Sequence, residues 1–199
     1  HFIFRPIVNE MKKITTLNDG QLERFSRQIL IDKFGYKGQL SLMNSSVLII
    51  GCGGLGSVAI NYLVMSGLGH IGIIDYDKVD ISNLSRQSLF DERDIGLSKV
   101  EVAKRKILTI NSDISLNCYN LKVTKNNISE LLDPYKFILD CSDNFNTRYL
   151  INDACYRQNK ILISAALHNF EIQLFNFKAW ANTSNPCYRC IFPKFKGMR

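Results

Sequence analysis

Four glycines that follow a short apolar run give this sequence its clearest potential for chemistry. Gly51, Gly53 and Gly56 form a G-x-G-x-x-G pattern, and Gly54 is an additional glycine inside it. The first glycine allows a sharp turn from a strand into a helix. The others let the backbone approach a ligand closely and let the helix pack on the strand. Because amide groups at the start of a helix attract negative charge, the pattern predicts an anion-binding loop.

An acidic residue downstream completes this pattern. Asp75 lies about 20 residues beyond Gly56, at the end of a second apolar run, where its carboxylate can hold ribose hydroxyls. The loop and the acid together predict a nucleotide site. By itself, the pattern leaves open a strand–helix–strand unit in which the glycines only make turns.

Basic and polar residues shortly after this unit indicate a ligand with a strong negative charge. Asn83, Arg86 and Gln87 lie in the segment ISNLSRQ, and Lys99 lies in IGLSKVEVAK. A hydride-transfer site has no obvious need for these cations, whereas a triphosphate needs its charge neutralised, and arginine can bind it with two hydrogen bonds. Taken singly, each of these charges is more often a solvated surface residue.

The six cysteines suggest two different uses. Cys187 and Cys190 have the spacing of half a tetrahedral zinc site. Cys52, inside the glycine loop, could be catalytic, but a small side chain facing the core is the better interpretation. The remaining three stand in apolar segments and are expected to fill the core as reduced thiols: Cys118, Cys141 and Cys155.

The alternation of apolar runs and helical patterns predicts the scaffold that must position these residues. We expect an α/β fold with a Rossmann-like, mainly parallel, doubly wound sheet, with helices on both faces. N-terminal helices and an antiparallel strand near the carboxyl end complete it. Strands are expected at 47–50, up to 75, at 115–121, 137–141, 161–165 and 172–178. Helices are expected at 20–34, 38–43, after the glycine loop, and at 97–110, 128–132 and 146–158.

The first helix is expected to place Leu22, Phe25, Ile29 and Leu30 on one apolar side. The segment 77–95 shows no clear periodicity and is predicted to be a loop. Ligands bind at the carboxyl ends of parallel strands, so three strand ends should converge on one pocket. These ends are the glycine loop, the segment that starts at Asp75, and the segment 142–144.

Composition narrows the classes of function. The chain has 199 residues, a net charge of +7 and 46% hydrophobic residues, which suits one domain, or one domain with an appendage, that buries a real core. No apolar run approaches the ~20 residues of a membrane span. The bases are dispersed, which favours a phosphate-rich small ligand and an acidic protein partner over nucleic acid. Residues 1–10 do not resemble a signal peptide, and Met11 could be the true start, so a cytoplasmic or organelle-interior location is expected.

Six segments together resemble the ThiF/MoeB/HesA family of ubiquitin-activating-like adenylating enzymes. They occur in the family's order, from near residue 20 to residue 193. The sulfur-carrier branch, which serves molybdopterin or thiamine synthesis, is the most similar because SRQIL and CYRC occur together. The segments are RFSRQIL, GCGGLGS, IIDYDKVDISNLSRQ, IGLSKVEVA, LDCSDNFNTR and PCYRCIFP.

The resemblance implies a reaction in which the C-terminal glycine carboxylate of a ubiquitin-fold sulfur carrier attacks the α-phosphate of ATP. It implies a tail at 1–19 and an adenylation domain at 20–199, acting as a homodimer. The glycine loop would face the phosphates and Asp75 the ribose. Catalytic roles would fall to Arg86, Lys99, Asp143 and Arg27. Asp143 would bind Mg²⁺ or orient the reacting groups, Asn144 would shape the pocket, and Arg27 would reach the partner's triphosphate. Asn83 and Gln87 would lie near the phosphates.

The resemblance is incomplete at the carboxyl end. The family normally has a second Cys-x-x-Cys that completes a zinc site with a pair such as Cys187 and Cys190, and this sequence has none. We expect the native product to extend past Arg199 and to carry that second pair. Two other functions remain open: a truncated, non-catalytic subunit that keeps ATP or carrier binding, and an NAD-dependent oxidoreductase that rests on the glycine loop alone.

Overall fold

A six-stranded sheet forms the centre of the protein. The computed structural model describes residues 13–194. The strand order is β3-β2-β1-β4-β5-β6, with the first five strands parallel and β6 antiparallel to β5. This confirms the predicted fold class. The strands are β1 Ser46–Ile50, β2 His70–Ile74, β3 Ser115–Tyr119, β4 Phe137–Asp140, β5 Ile161–His168 and β6 Glu171–Phe177.

Helices connect the parallel strands and cover the sheet. The four connections β1–β2, β2–β3, β3–β4 and β4–β5 each contain one α-helix, α4 to α7 in turn. None of the described helices is long and apolar enough to cross a membrane. The helices are α1 Asp19–Arg24, α2 Ser26–Ile29, α3 Gly35–Met43, α4 Gly54–Met65, α5 Lys99–Ile110, α6 Ile128–Leu132, α7 Phe145–Arg157 and α8 Tyr188–Ile191.

The two faces of the sheet bury separate hydrophobic cores. In β1, Leu48 and Ile50 pack in one core, whereas Val47 and Ile49 pack in the other. A strand that is buried on both faces needs apolar side chains at successive positions, which explains the continuous run at 47–50. β1 lies between β2 and β4, and Val47 pairs with both Ile71 and Phe137.

The predicted first helix at 20–34 is wrong in its length and in its apolar face. Two short helices replace it, and Phe25 between them leaves helical geometry with φ −102° and ψ 12°. Phe25 packs in a small cluster with Leu17 and Met43. Leu30 is 76% exposed. The predicted stripe assumed an uninterrupted helix. In the structure Ile29 still packs against the cluster, whereas Leu22 and Leu30 are exposed.

The described part of the predicted N-terminal tail is attached to the domain. The amide of Ile14 donates to Asn44 Oδ1 at 2.8 Å, and the amide of Leu17 donates to the hydroxyl of Tyr36 at 2.9 Å. The boundary at residue 20 stays a prediction. Residues 1–12, including Met11, lie outside the described residues.

The loop between β2 and α5 contains two turns of 3₁₀ helix, Ile81–Asn83 and Glu92–Asp94. The carboxylate of Asp94 is fully buried and pairs with Arg105 and Lys106 of α5. Lys106 also contacts Asp91 at 2.6 Å. A buried carboxylate needs a compensating partner, and here two partly exposed cations of α5 provide it. The network therefore fastens this loop to the helix that begins with Lys99.

A buried histidine should make stability depend on pH. The ring of His70 is 2% exposed, stacks on Tyr135 and contacts Ser115 Oγ through Nδ1 at 2.8 Å. Burial lowers the pKa of His70 below its ordinary value of 6.5. The unfolded chain then binds more protons as the pH falls below about 6.5, so the free energy of unfolding should decrease there.

Urea denaturation of the wild type and of His70→Asn between pH 5 and 8 measures this contribution. The wild type should lose stability from pH 6.5 downward more steeply than the variant, whose amide does not titrate. Parallel curves for the two proteins would contradict the prediction.

Candidate nucleotide-binding site

A cavity of about 710 Å³ opens at the carboxyl ends of the parallel strands. It lies where the chain changes direction within the sheet, because β2 follows on one side of β1 and β4 on the other. Ligands of open α/β sheets bind at such a switch point. The predicted cofactor-binding residues that line the cavity are Gly51, Gly53, Gly54, Asp75, Asn83, Arg86, Gln87, Lys99, Asp143 and Asn144.

The glycine loop lines the cavity, and at two of its positions the structure leaves no room for a side chain. Gly51 has φ +102°, and a Cβ there would lie 2.7 Å from the carbonyl oxygen of Cys141. A Cβ on Gly56 would lie 1.9 Å from the carbonyl oxygen of Gly51. Gly56 is buried and does not line the cavity. Gly56 therefore lets α4 pack closely against the glycine loop and does not face the space for a ligand.

Asp75, at the end of β2, holds the glycine loop by a hydrogen bond. One carboxylate oxygen accepts from the amide of Cys52 at 2.7 Å, and the other accepts from the amide of Asp77 at 2.8 Å. The residue is 9% exposed and lines the cavity. Each carboxylate oxygen can accept more than one hydrogen bond, so the predicted contact with ribose hydroxyls is compatible with these contacts.

Lys99 is the first residue of α5 and brings a buried cation to the cavity. Its side chain is 6% exposed, and Nζ lies 3.3 Å from a carboxylate oxygen of Asp77, whose side chain is 50% exposed. The amide of Lys99 also donates to the carbonyl of Asp77 at 3.0 Å. Asp77 thus fixes the direction of the lysine while remaining accessible from the cavity.

The segment 83–87 contributes a cation and an unpaired polar atom. The Arg86 guanidinium donates to the carbonyl of Ser82 at 2.9 Å and is otherwise exposed. The Asn83 side chain caps the first 3₁₀ turn by accepting from the amide of Asp80. Gln87 is 4% exposed, and its Oε1 is buried without a hydrogen-bond partner among the described residues. A polar ligand in the cavity would satisfy it.

Asp143 and Asn144 follow the end of β4. Asp143 is exposed, and the one described hydrogen bond that its carboxylate accepts comes from the side-chain Nδ2 of Asn144, at 3.2 Å. Asn144 caps α7, because its Oδ1 accepts from the amide of Thr147 at 2.9 Å. Asp143 therefore keeps its acceptor capacity for a ligand, while Asn144 has a structural role as well as a place in the cavity wall.

Several cavity residues had no role in the sequence prediction. The prediction left out two parallel strand ends at this edge: Leu121, Lys122 and Val123 follow β3, and Leu167 lies near the end of β5. The rule that carboxyl ends of parallel strands meet at one edge could have identified them. Other lining residues stood inside recognised segments without an assigned function: Tyr76, Asp77, Ser142, Thr147 and Arg148.

The thiols near the cavity are unsuited to nucleophilic catalysis. Cys52 is fully buried, and burial raises the pKa of its thiol well above the ordinary value. Burial also raises the pKa of Cys141 to about 12. A thiol with such a pKa stays protonated near neutral pH. The interpretation of Cys52 as a core side chain is confirmed.

The remaining predicted site residues lie outside the cavity. Arg27 is exposed on α2 and has no hydrogen bond or ion pair with another described residue. The sulfurs of Cys187 and Cys190 are 3.6 Å apart. Two thiolates about 2.3 Å from a tetrahedral zinc would be separated by nearly this distance. Burial raises the pKa of Cys187, but hydrogen bonds from Cys190, Arg189 and Asn152 together outweigh it, so the pKa is lowered.

The acidic residues could hold Mg²⁺ only with help from a ligand. Among residues 13–194, no group of three or more His, Cys, Asp or Glu side chains is arranged to bind a metal ion. Mg²⁺ in nucleotide sites commonly takes one or two carboxylates, while phosphates and water complete its shell. Asp143 and Asp77 line the same cavity and fit that requirement. Asp77, burial and Asp143 together raise the pKa of Tyr76, which indicates concentrated negative charge at this wall.

The parallel sheet, the glycine loop and the charged cavity at the switch point define a Rossmann-like protein with a site suited to a nucleotide. The ThiF family matches residues 25–199, and the chain belongs to that family. The chain is 45% identical, over 179 residues, to the adenylyltransferase and sulfurtransferase MOCS3 of Drosophila persimilis. The match covers 90% of this chain and 39% of the relative, so the chain spans less than half of that protein's length.

Two solved structures show a related fold. The E. coli tRNA N6-threonylcarbamoyladenosine dehydratase TcdA, in complex with ATP, matches with a TM-score of 0.73 and 25% identity, over 79% of this chain and 65% of that one. E. coli MccB with AMPCPP and MccA matches with a TM-score of 0.69 and 32% identity, over 86% of this chain and 52% of that one. Both neighbours hold adenine nucleotides.

Proposed function

We propose that this chain is the adenylation domain of an ATP-dependent adenylyltransferase that activates the C-terminal glycine carboxylate of a small ubiquitin-fold sulfur carrier. The observation that carries the proposal is the convergence of Arg86, Lys99 and Asp143 on the cavity that begins at the glycine loop. Membership of the ThiF family and the names of its relatives support it. The carrier would serve molybdopterin or thiamine synthesis or a related thiolation.

Different residues of the cavity suit the triphosphate and the base of a bound ATP. The backbone amides at the start of α4, together with Arg86 and Lys99, would oppose the negative charge of the triphosphate. Leu121 and Val123 provide apolar surface for the base. The buried Oε1 of Gln87 would accept a hydrogen bond from the ligand. Mg²⁺ held by Asp143 and the phosphates would neutralise further charge.

The reaction itself needs little from the protein beyond alignment. A carboxylate oxygen of the carrier forms a bond to the α-phosphorus, the bond from that phosphorus to the bridging oxygen breaks, and pyrophosphate leaves with the electron pair. The carboxylate is already ionised at pH 7, so no proton transfer is needed. Positioning and electrostatic stabilisation by Lys99 and Arg86 are then the main sources of catalysis.

We further propose that two copies form a homodimer in which Arg27 of one copy approaches the cavity of the other. Two features support this. Arg27 is exposed and unpaired among the described residues. The outer side of α4, which begins at the cavity, exposes apolar side chains at helical spacing: Leu55, Val58, Tyr62 and Met65. A cytoplasmic or organelle-interior location is proposed as well, and the six free cysteines suit a reducing compartment.

The proposed function is tested by ATP–pyrophosphate exchange. Labelled pyrophosphate should enter ATP only when a ubiquitin-fold carrier with a C-terminal glycine is present, because its carboxylate is the nucleophile. A carrier that lacks its last glycine serves as the matched control. ATP binding without exchange, with every carrier supplied, would support a non-catalytic binding subunit instead.

Nucleotide choice gives an independent prediction. Calorimetry should detect binding of Mg-ATP and much weaker binding of NAD, because Lys99 and Arg86 oppose more negative charge in a triphosphate than in a pyrophosphate. The variant Lys99→Met, which keeps length and loses charge, should reduce the preference. Tight NAD binding with no measurable ATP binding would end the adenylation proposal.

Zinc binding by Cys187 and Cys190 is a separate proposal. The pair supplies two thiolates, and a structural zinc site needs four ligands. The 199-residue chain should therefore bind less than one zinc per chain, or share one between two chains and associate when zinc is added. Metal analysis and sedimentation of the wild type and of Cys187→Ser measure this. One tightly held zinc in a monomeric chain would show that other residues complete the site.

A further inference from the structure

The turn between β4 and Asp143 is fixed on one side by a buried carboxylate. Asp140, the last residue of β4, is fully buried. Its Oδ1 accepts from the amide of Ser142 at 3.0 Å and from the hydroxyl of Ser142 at 2.6 Å. Its Oδ2 is 3.4 Å from the hydroxyl of Ser164 on β5. The Asp140 carboxylate thus accepts three hydrogen bonds, and Ser142 donates two of them.

The other side of the same turn is held by an arginine of α7. The Arg148 guanidinium donates to the carbonyl of Ser142 at 2.5 Å. The amide and the carbonyl of Ser142 belong to the two peptide groups that flank its Cα. Because both peptide groups are held, the two backbone dihedrals of Ser142 are restrained, and with them the point from which Asp143 extends into the cavity.

The turn is also attached to the glycine loop. The amide of Cys141 donates to the carbonyl of Ile50 at 2.9 Å. The backbone of Gly51 lies so close to Cys141 that a Cβ would not fit between them. The restrained turn therefore holds its position relative to the phosphate-side loop and not only relative to β4.

The side chain of Asp143 has no comparable restraint. It is exposed, and its one described hydrogen bond comes from the neighbouring Asn144. Its placement must come from the backbone. A displacement of about 1 Å in a group that binds the reactants can greatly lower the reaction rate. The restraint on Ser142 therefore matters for catalysis, because it sets the position of the Asp143 carboxylate.

We propose that Asp140 is a positioning residue that holds Asp143 through Ser142, with Arg148 restraining the opposite peptide group, so that Asp143 is prearranged to receive a Mg²⁺-bound nucleotide. This rests on the proposed function for the identity of the ligand. Asp140 itself is fully buried and does not line the cavity. A role in core stability alone would give Asp140 no influence on the metal dependence of nucleotide binding.

Calorimetry of the 199-residue protein with ATP, in Mg²⁺ and in EDTA, tests the proposal. In the wild type, Mg²⁺ should tighten ATP binding by about tenfold, a typical coupling between two ligands. Asp143→Ala should abolish this enhancement, and Asp140→Ala should abolish most of it while changing the Kd for metal-free ATP less than about threefold. Asp140→Asn should restore it, because its amide oxygen can still accept from the Ser142 amide.

Two controls separate positioning from general destabilisation. Asp153 lies on α7, as Arg148 does, and forms an ion pair with Arg189 of α8. Asp153→Ala removes that ion pair and should leave the Mg²⁺ enhancement intact. Ser142→Ala removes only the 2.6 Å hydroxyl contact and should lose part of the enhancement, about threefold, which keeps the test decisive if Asp140→Ala does not fold. Amide hydrogen exchange at residues 142–144 should be faster in the Asp140 and Ser142 alanine variants.

The outcomes distinguish this proposal from the proposed function. An undiminished Mg²⁺ enhancement in Asp140→Ala or in Ser142→Ala would overturn the positioning role, and so would a wild type whose ATP affinity is independent of Mg²⁺. A wild type that shows the enhancement but no carrier-dependent pyrophosphate exchange would instead refute the adenylation reaction and leave the positioning of Asp143 standing.

Discussion

Asp143→Ala should lower the rate of adenylate formation by at least about 10², with the fold intact, because it removes the carboxylate that we propose holds Mg²⁺ at the reacting phosphates. The carboxylate is exposed in the cavity and makes one described hydrogen bond, to the side chain of its neighbour Asn144. Its loss should therefore have little effect on the free energy of unfolding. The measurement is carrier-dependent ATP–pyrophosphate exchange, with circular dichroism to monitor the fold.

Asp113→Ala provides the matched control for this substitution, since Asp113 is exposed and does not line the cavity. It should exchange pyrophosphate at the wild-type rate. If Asp143→Ala were as active as the wild type, its carboxylate would have no part in the reaction, and the charge at this wall of the cavity would have to act through Asp77.

Lys99→Ala and Arg27→Ala should each be inactive alone and should regain part of the activity when mixed. Lys99 belongs to the cavity of its own chain, whereas Arg27 lies outside that cavity on the exposed face of α2. In a mixed dimer, one of the two sites combines a wild-type lysine with a wild-type arginine from the other chain. Unfolding and refolding the variants together, followed by the exchange assay, measures the recovery.

The recovered activity, relative to the wild type, should approach half of the fraction of mixed dimers, because each mixed dimer has one intact site of two. Refolding each variant alone gives the background, and sedimentation establishes whether dimers form. A fully active monomeric protein, or two variants that never complement each other, would refute a contribution of Arg27 across the dimer.

The strands and the glycine loop were predictable because their causes are local. A strand that is buried on both faces requires a continuous apolar run, and β1 and β2 have one each. Gly51 and Gly56 stand where a Cβ would collide with backbone, so the constraint is visible in the spacing of the glycines. The convergence of Asp75 and Asp143 followed from the rule that parallel strand ends share one edge.

The errors arose where tertiary contacts override local pattern. The apolar spacing at 22–30 is compatible with one helix, but the structure divides it at Phe25, which packs with Leu17 and Met43. Gly56 matched the motif as a ligand residue, yet its position below Gly51 gives it a packing role. Sequence spacing does not specify which glycine of a motif reaches the ligand.

The functions of Asp140 and Arg148 could not be read from the sequence either. Both occur in the segment LDCSDNFNTR, and the pattern does not distinguish a carboxylate that faces the ligand from one that holds the backbone. The distinction depends on burial: Asp140 is fully enclosed, whereas Asp143, three positions later, is exposed. Where a strand ends, the turn that follows determines which side chains face the core and which face solvent, and the sequence pattern does not specify that turn.

The pairing of β1 with β4 has a consequence for how the protein folds. Val47 and Phe137 are distant in sequence, and the segment between them contains β2, β3 and three α-helices. Closing so long a loop carries an entropic cost before the pairing returns any energy, and non-local contacts of this kind slow folding. The cavity has walls from both sides of this pairing, so it cannot exist in a folding intermediate that contains only β1 to β3. Nucleotide can therefore stabilise only the finished sheet, and it should slow unfolding rather than accelerate the early steps of folding.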